Sequence, residues 1–206
     1  MNVALVLLKA NIEIVKSALL ALPIFKTFQL SIVELKNNEN ILNLVNPEYS
    51  PKQKEIILYS PLCNRDTTIC YTNLLYGWSN FFDAYSVELD FEIYACLISE
   101  GPPYEAYHFM CFKGEYKRYV LCYQDPRWVF YEKGTPLSFE DLTFYKSKYK
   151  KKRLNKDVII RYLQHVGWNL EDENIWHTAH KIYKIQQIQK FPTGIKSELL
   201  KCIEIT

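Results

Sequence analysis

Between Phe91 and Tyr131, four apolar and aromatic runs occur in succession: Phe91–Ile98, Tyr107–Phe112, Tyr116–Tyr123 and Arg127–Tyr131. Gly101-Pro102-Pro103, Lys113-Gly114 and Asp125-Pro126 punctuate them. Such dipeptides mark turns, because proline has no N–H to give a ladder and glycine accepts turn dihedrals that other residues avoid. Lys113-Gly114, lying between two alternating runs, is a hairpin signal. Four strands in close succession commit this part of the chain to a sheet. Two more strands precede them, Glu55–Ser60 and Thr68–Asn73, joined by the turn-rich stretch from Pro61 to Asp66.

Helical patterns frame these runs. Val3–Leu8 is apolar throughout and predicts a buried strand. Ile12, Ile14, Val15, Ala18, Leu19 and Leu22 recur near helical spacing, with Asn11 as N-cap and Pro23 as stop. Phe25–Leu35 then alternates, which predicts a strand with one wet face. The first 35 residues therefore read as a β-α-β unit. Trp78, Phe81, Phe82, Tyr85 and Leu89 place an aromatic stripe on a helix over Ser79–Leu89. Lys156–His165 forms a second clear helix, capped by Asn155 and ended near Gly167, and Ile182–Ile188 is a last strand. The expected class is α+β: a largely antiparallel sheet with a few helices packed on one face. At 206 residues the chain suits one domain, with a possible sub-boundary in the polar linker 36–53, where a helical turn at Ile41–Leu44 is expected.

Composition excludes more than it assigns. Apolar residues make up 49% and charged residues 23%, which rules out global disorder. A net charge of +2 creates no field that by itself selects nucleic acid or an anionic membrane. The six cysteines at 63, 70, 96, 111, 122 and 202 include no C-x-x-C pair. They read as reduced thiols, largely in the core, with disulfides the alternative. No basic residue precedes the first apolar run, and Lys9, Asn11, Glu13 and Lys16 interrupt the stretch after it, so no signal peptide is expected. The uncharged stretch Thr67–Phe82 falls short of a membrane span. The chain is expected in the cytoplasm, with no membrane partner.

Side chains able to carry chemistry are scattered. His177 and His180 would share a helix face, yet the spacing matches no metalloprotease motif and the segment after Trp176 is a doubtful helix. His108 and His165 stand alone. Asp83, Glu88, Asp90 and Glu92 fit no acid–base scheme, and no G-x-S-x-G elbow or glycine-rich phosphate loop occurs. No catalytic residue, metal or cofactor is expected, and a Cys/His-dependent enzyme is the weakest alternative. The positive feature is a basic run with interleaved aromatics: Tyr145, Lys146, Lys148, Tyr149, Lys150, Lys151, Lys152 and Arg153. Six positive charges lie within eight residues, with Lys156 and Arg161 beyond. Tyrosine and tryptophan combine apolar area with a polar tip, which suits a surface buried only on binding. Trp78 and Trp128 are expected in the core. Tyr104, Tyr145 and Tyr149 are expected as exposed anchors.

Several phrases together carry a resemblance. They are Thr72-Asn73 with Gly77-Trp78, then Trp128 leading to Gly134, Phe139 and Glu140, then Tyr145 and Lys152-Arg153-Leu154, and finally Tyr162-Leu163 with Gly167-Trp168. Over residues 68 to 170 the chain resembles immunity proteins of polymorphic or contact-dependent bacterial toxin systems. The resemblance implies a cytoplasmic antitoxin that binds one cognate toxin protein and occludes its active site. Immunity proteins against nucleases are often acidic, whereas this chain is slightly basic, which speaks against a nuclease target unless Asp83, Glu88, Asp90 and Glu92 segregate on one face. The partner-binding residues expected are Tyr104, Tyr145, Lys146, Lys148, Tyr149, Lys150, Lys151, Lys152 and Arg153. The alternative is a nucleic-acid-binding accessory protein using the Lys/Arg run at 146–153.

Overall fold

The computed structural model describes residues 3–35, 41–44, 56–72, 78–101, 105–178 and 181–187. Among them nine strands form one sheet: β1 (Val3–Leu8), β2 (Leu30–Leu35), β3 (Ile56–Tyr59), β4 (Thr68–Thr72), β5 (Ile93–Ser99), β6 (Ala106–Lys113), β7 (Tyr116–Asp125), β8 (Arg127–Lys133) and β9 (Ile182–Gln187). Their order across the sheet is β2-β9-β3-β4-β1-β5-β6-β7-β8, and every neighbouring pair is antiparallel. Five α-helices accompany the described strands: α1 (Ile12–Ala21), α2 (Pro23–Thr27), α3 (Ser79–Ala84), α4 (Ser86–Leu89) and α5 (Lys156–His165). The class is α+β.

β1 sits at the middle of the sheet, and its residues explain why. Leu5, Val6, Leu7 and Leu8 are all fully buried, because the strand is covered on both faces. Each such side chain contributes about 1.5–3 kcal/mol relative to an exposed position. Leu5 and Leu7 point into one core with Ile57, Tyr59, Phe109, Val120 and the α5 residues Val158, Ile159, Tyr162 and Leu163. Val6 and Leu8 point into the other, with Val15 and Leu19 of α1, Phe25 of α2, Phe81 and Phe82 of α3 and Leu89 of α4. Helices therefore pack on both faces, not on one. A strand with two apolar faces and helices with separate apolar stripes can bury everything only in this three-layer arrangement.

The opening β-α-β unit is present, with one strand shorter than expected. Four antiparallel steps separate β1 from β2, so the two run in the same direction. They are not neighbours, since β4, β3 and β9 lie between them. Phe25 and Lys26 are helical, because Pro23 occupies the first helical position of α2, where its fixed φ and missing N–H favour a helix start. A left-handed Gln29 (φ 50°) then turns the chain into β2. The single helix expected over Ser79–Leu89 is broken at Tyr85 into α3 and α4. At the break, Ser86 Oγ lies 3.1 Å from the carbonyls of Asp83 and Gly114, a side-chain alternative to the helical ladder.

The 36–53 linker lies mostly outside the described residues, although Ile41–Asn43 does form a 3₁₀ turn. Strands from both sides of that linker share the one sheet. Cys70, Cys96, Cys111 and Cys122 are buried free thiols, and Cys63 is exposed and free. Cys202 lies outside the described residues. No described helix is long and apolar enough to cross a membrane.

Candidate functional site

The 146–153 run is held against the β7–β8 hairpin by a buried ionic network. Arg118 of β7 faces the α5 side of the sheet with 1% of its side chain exposed. Its Nε donates to Glu140 Oε1 at 2.9 Å, one terminal nitrogen to Glu140 Oε2 at 2.6 Å and Glu132 Oε2 at 2.7 Å, and the other to the carbonyls of Gly134 at 3.0 Å and Lys133 at 3.3 Å. All five guanidinium N–H groups thus have acceptors. Glu140 also accepts from the Leu137 N–H at 2.9 Å and the Tyr145 hydroxyl at 2.7 Å. The Tyr145 and Tyr162 hydroxyls are 3.1 Å apart, which ties the network to α5. Burial works against the Arg118 charge, but the hydrogen bonds to Glu140 and Glu132 outweigh it and hold the guanidinium proton more tightly than usual. Burial, then bonding to Tyr162 and Glu140, pushes the Tyr145 hydroxyl well above its ordinary range.

Gly134 makes the chain reversal after β8 possible. Its φ is +89°, and a Cβ there would lie 2.1 Å from the Lys117 carbonyl oxygen. Only glycine satisfies both conditions.

Tyr145 is therefore a core residue and not the exposed anchor expected of it. Flanking lysines suggested exposure, but the 3₁₀ turn Phe144–Lys146 rotates its ring inward against Phe130, 5.3 Å away. Tyr104 lies outside the described residues. Tyr149 is 64% exposed, and Lys146, Lys148, Lys150, Lys151 and Lys152 are exposed as well. Arg153 is half-buried, donating from Nε to the Ser147 carbonyl at 2.9 Å with its guanidinium 5.3 Å from the Phe130 ring. That bond closes the segment on itself. The fully buried Leu154 pins it from below, and the Cys122 thiol donates to the Lys150 carbonyl at 3.2 Å.

The result is a cationic ledge along β8, an outer strand that pairs only with β7 among the described strands. Trp128, Tyr149, Lys150, Lys151, Lys152 and Asn155 line an open cleft of about 460 Å³ there. Trp128 is half-buried, in contrast to the core position expected for it. Its ring lies nearly parallel to Tyr107 at 6.3 Å and carries Lys151 Nζ at 5.2 Å. Lys152 Nζ lies 5.4 Å from the Tyr149 ring. Lys151 also meets the Glu105 carboxylate at 2.8 Å, and Glu105 accepts from the Tyr107 hydroxyl at 2.5 Å. Burial opposes ionisation of Glu105, yet its bonds from Lys151 and Tyr107 prevail and hold the carboxyl below its usual range. Among the described residues no carboxylate lies within 4 Å of Lys146, Lys148, Lys150 or Lys152.

The other candidates do not converge. His108 is buried on β6, and burial lowers its pKa to about 4. His165 stacks on Phe139 at 5.6 Å. His177 is extended rather than helical, which removes the shared-face argument, and His180 lies outside the described residues. Burial pushes Cys96 and Cys111 up to about 12 and Cys122 to about 11, so these thiols stay protonated at neutral pH. Asp83 is held by Lys117 at 2.6 Å and Tyr119 at 2.7 Å, and Glu92 by Lys9 at 3.5 Å, so lysines offset two of the four carboxylates considered as an acidic patch. Among the described residues no group of three or more His, Cys, Asp or Glu is placed to hold a metal ion.

Comparison with known protein families, with curated proteins and with solved structures finds no match to this chain. The site is thus defined by its own geometry. Sequence patterns located the lysines and Tyr149 but missed Arg118, Glu132 and Asn155 as parts of one arrangement. Only a lone arginine within the apolar Tyr116–Tyr123 run hinted at the first.

Proposed function

We propose that this chain is a non-catalytic binding protein of the immunity type, which docks on a cognate toxin domain and occludes its active site. The observation that carries this reading is the ledge itself. Exposed Lys148, Lys150 and Lys152, with no described carboxylate within 4 Å, an exposed Tyr149 and a half-buried Trp128 lie together on a ledge that Tyr145 ties to the Arg118–Glu140 network. Tyrosine and tryptophan are enriched among the side chains that anchor protein interfaces, and lysines around them supply electrostatic complementarity to a partner. Preorganisation keeps the entropy lost on docking small.

The same lysines keep nucleic acid as a second reading. Against it stands the state of the rings: Trp128 is already engaged by Tyr107 and Lys151, and Tyr149 by Lys152. Sequence-tolerant binding of single strands relies on free aromatic faces for stacking. The test is to sequence the genes flanking this one and to co-express the chain with a flanking toxin-domain reading frame, scoring survival and co-elution on size exclusion; flanks with no such reading frame overturn the proposal. Protection with a co-eluting complex supports the proposal. Survival without a complex, or no protection at all, overturns it.

A further inference from the structure

One lysine that lines the cleft, Lys151, already holds a carboxylate, that of Glu105 at its edge. Lys151 is the one lysine of the ledge with a described carboxylate in reach, and it is paired at 2.8 Å while its ammonium stays 5.2 Å from the Trp128 ring. The Tyr107 hydroxyl donates to the same carboxylate. A carboxyl group is therefore bound here by an ammonium and a phenol, beside an aromatic wall. Lys150 and Lys152 border the same cleft with no such partner, and Lys148 lies on the same ledge. Resting on the binding-protein reading above, we propose that the cleft is the docking site for an acidic segment of the partner protein, and that Glu105 is an internal competitor for that segment's carboxylates. An incoming acidic side chain takes the place of Glu105 on Lys151, and its neighbours meet Lys150 and Lys152.

Charge complementarity selects this occupant. Lys150 and Lys152 present ammonium groups with no described carboxylate in reach, whose gain on pairing is greatest where water is displaced by a half-buried aromatic wall. A planar base has less to gain, because Trp128 is already flanked by Tyr107 and Lys151.

A competitor makes an unusual prediction about sign. Removing Glu105 by Glu105→Gln keeps the shape and an acceptor for Tyr107 but frees Lys151, so binding of an acidic segment becomes tighter. An exposed ion pair of this kind corresponds to a gain of about 2- to 5-fold in affinity. The experiment uses the full chain and fluorescent poly-L-glutamate, followed by anisotropy, with an oligodeoxythymidylate of matched charge in a parallel arm. Expected are binding of polyglutamate, tightening by E105Q, and weakening of about tenfold or more by the surface double variant K150E/K152E. Unchanged or weaker binding by E105Q overturns the competitor role. Preference for the oligodeoxythymidylate, or binding of neither probe, overturns the acidic-segment assignment. Capture of the toxin domain that K150E/K152E leaves intact removes the cleft from the interface while the binding-protein reading stands. Polyglutamate binding that responds as expected, together with no protection from the toxin, leaves the cleft and removes the immunity role.

Discussion

Replacing Arg118 by methionine tests whether the ledge rests on a coupled ion pair or merely on apolar packing. In R118M the Glu140 side chain, fully inaccessible to solvent, keeps only the Leu137 N–H and the Tyr145 hydroxyl. It loses its three contacts to the guanidinium. An unpaired buried charge of this kind costs about 3–5 kcal/mol, against a total stability of about 5–15 kcal/mol for a domain. E140L takes three contacts from the guanidinium, which keeps its ion pair to Glu132 and its bonds to the Lys133 and Gly134 carbonyls, and so should cost less, about 1–3 kcal/mol. The double variant R118M/E140L strands neither charge. It leaves neutral orphans only, each about 1–3 kcal/mol at most. The double variant is therefore expected to be no less stable than R118M, which gives a coupling of about 1 kcal/mol or more. Urea unfolding followed by tryptophan fluorescence measures it, with the slope of the transition confirming an unchanged unfolded state. A double variant whose loss equals the sum of the singles refutes the coupling and leaves packing as the explanation.

Three further outcomes concern single positions. Gly134→Ala should lower stability by at least about 2 kcal/mol, read as a drop in melting temperature, because its φ of +89° and the Lys117 carbonyl both exclude a Cβ. Asn155→Ala removes the 3.0 Å bond to the Val158 N–H at the start of α5 and should cost about 1 kcal/mol in urea unfolding. His108 has its pKa lowered by burial from 6.5 to about 4, so the unfolded chain takes up the proton first as pH falls. Stability from this group is present above the unfolded value and declines between pH 6.5 and about 4, by about 3 kcal/mol in all. H108L should show a shallower decline than the parent chain over that window, and parallel curves would contradict the assignment.

Local chemistry made the strands and caps readable. The apolar run of β1, the Lys113-Gly114 hairpin and the Asn11 and Asn155 caps are each set by residues within a few positions of one another. The features that sequence alone did not disclose depend on distance. The two-faced packing of β1 requires knowing that α1 and α5 approach from opposite sides. Tyr145 looked exposed because lysines flank it, whereas its burial is decided by Glu140 and by Tyr162 on α5. Arg118 gave little local sign of its role, since its acceptors belong to a strand and loop 14 to 22 residues away. The alternation that begins at Phe25 conceals α2, whose start is set by Pro23 at the first helical position.

β9 lies between β2 and β3 and is the only described strand that β2 pairs with. During synthesis β2 is complete at Leu35, but its hydrogen-bonding neighbour emerges about 150 residues later, roughly 8–30 s afterwards at ordinary elongation rates. For that interval a strand with half-exposed Ile32 and an exposed Val33 has no ladder, and β3 is open on the same side. The nascent chain thus carries a vacant slot flanked by two unsatisfied edges, the kind of intermediate that holdase chaperones shield and that a matching segment of another nascent chain can invade.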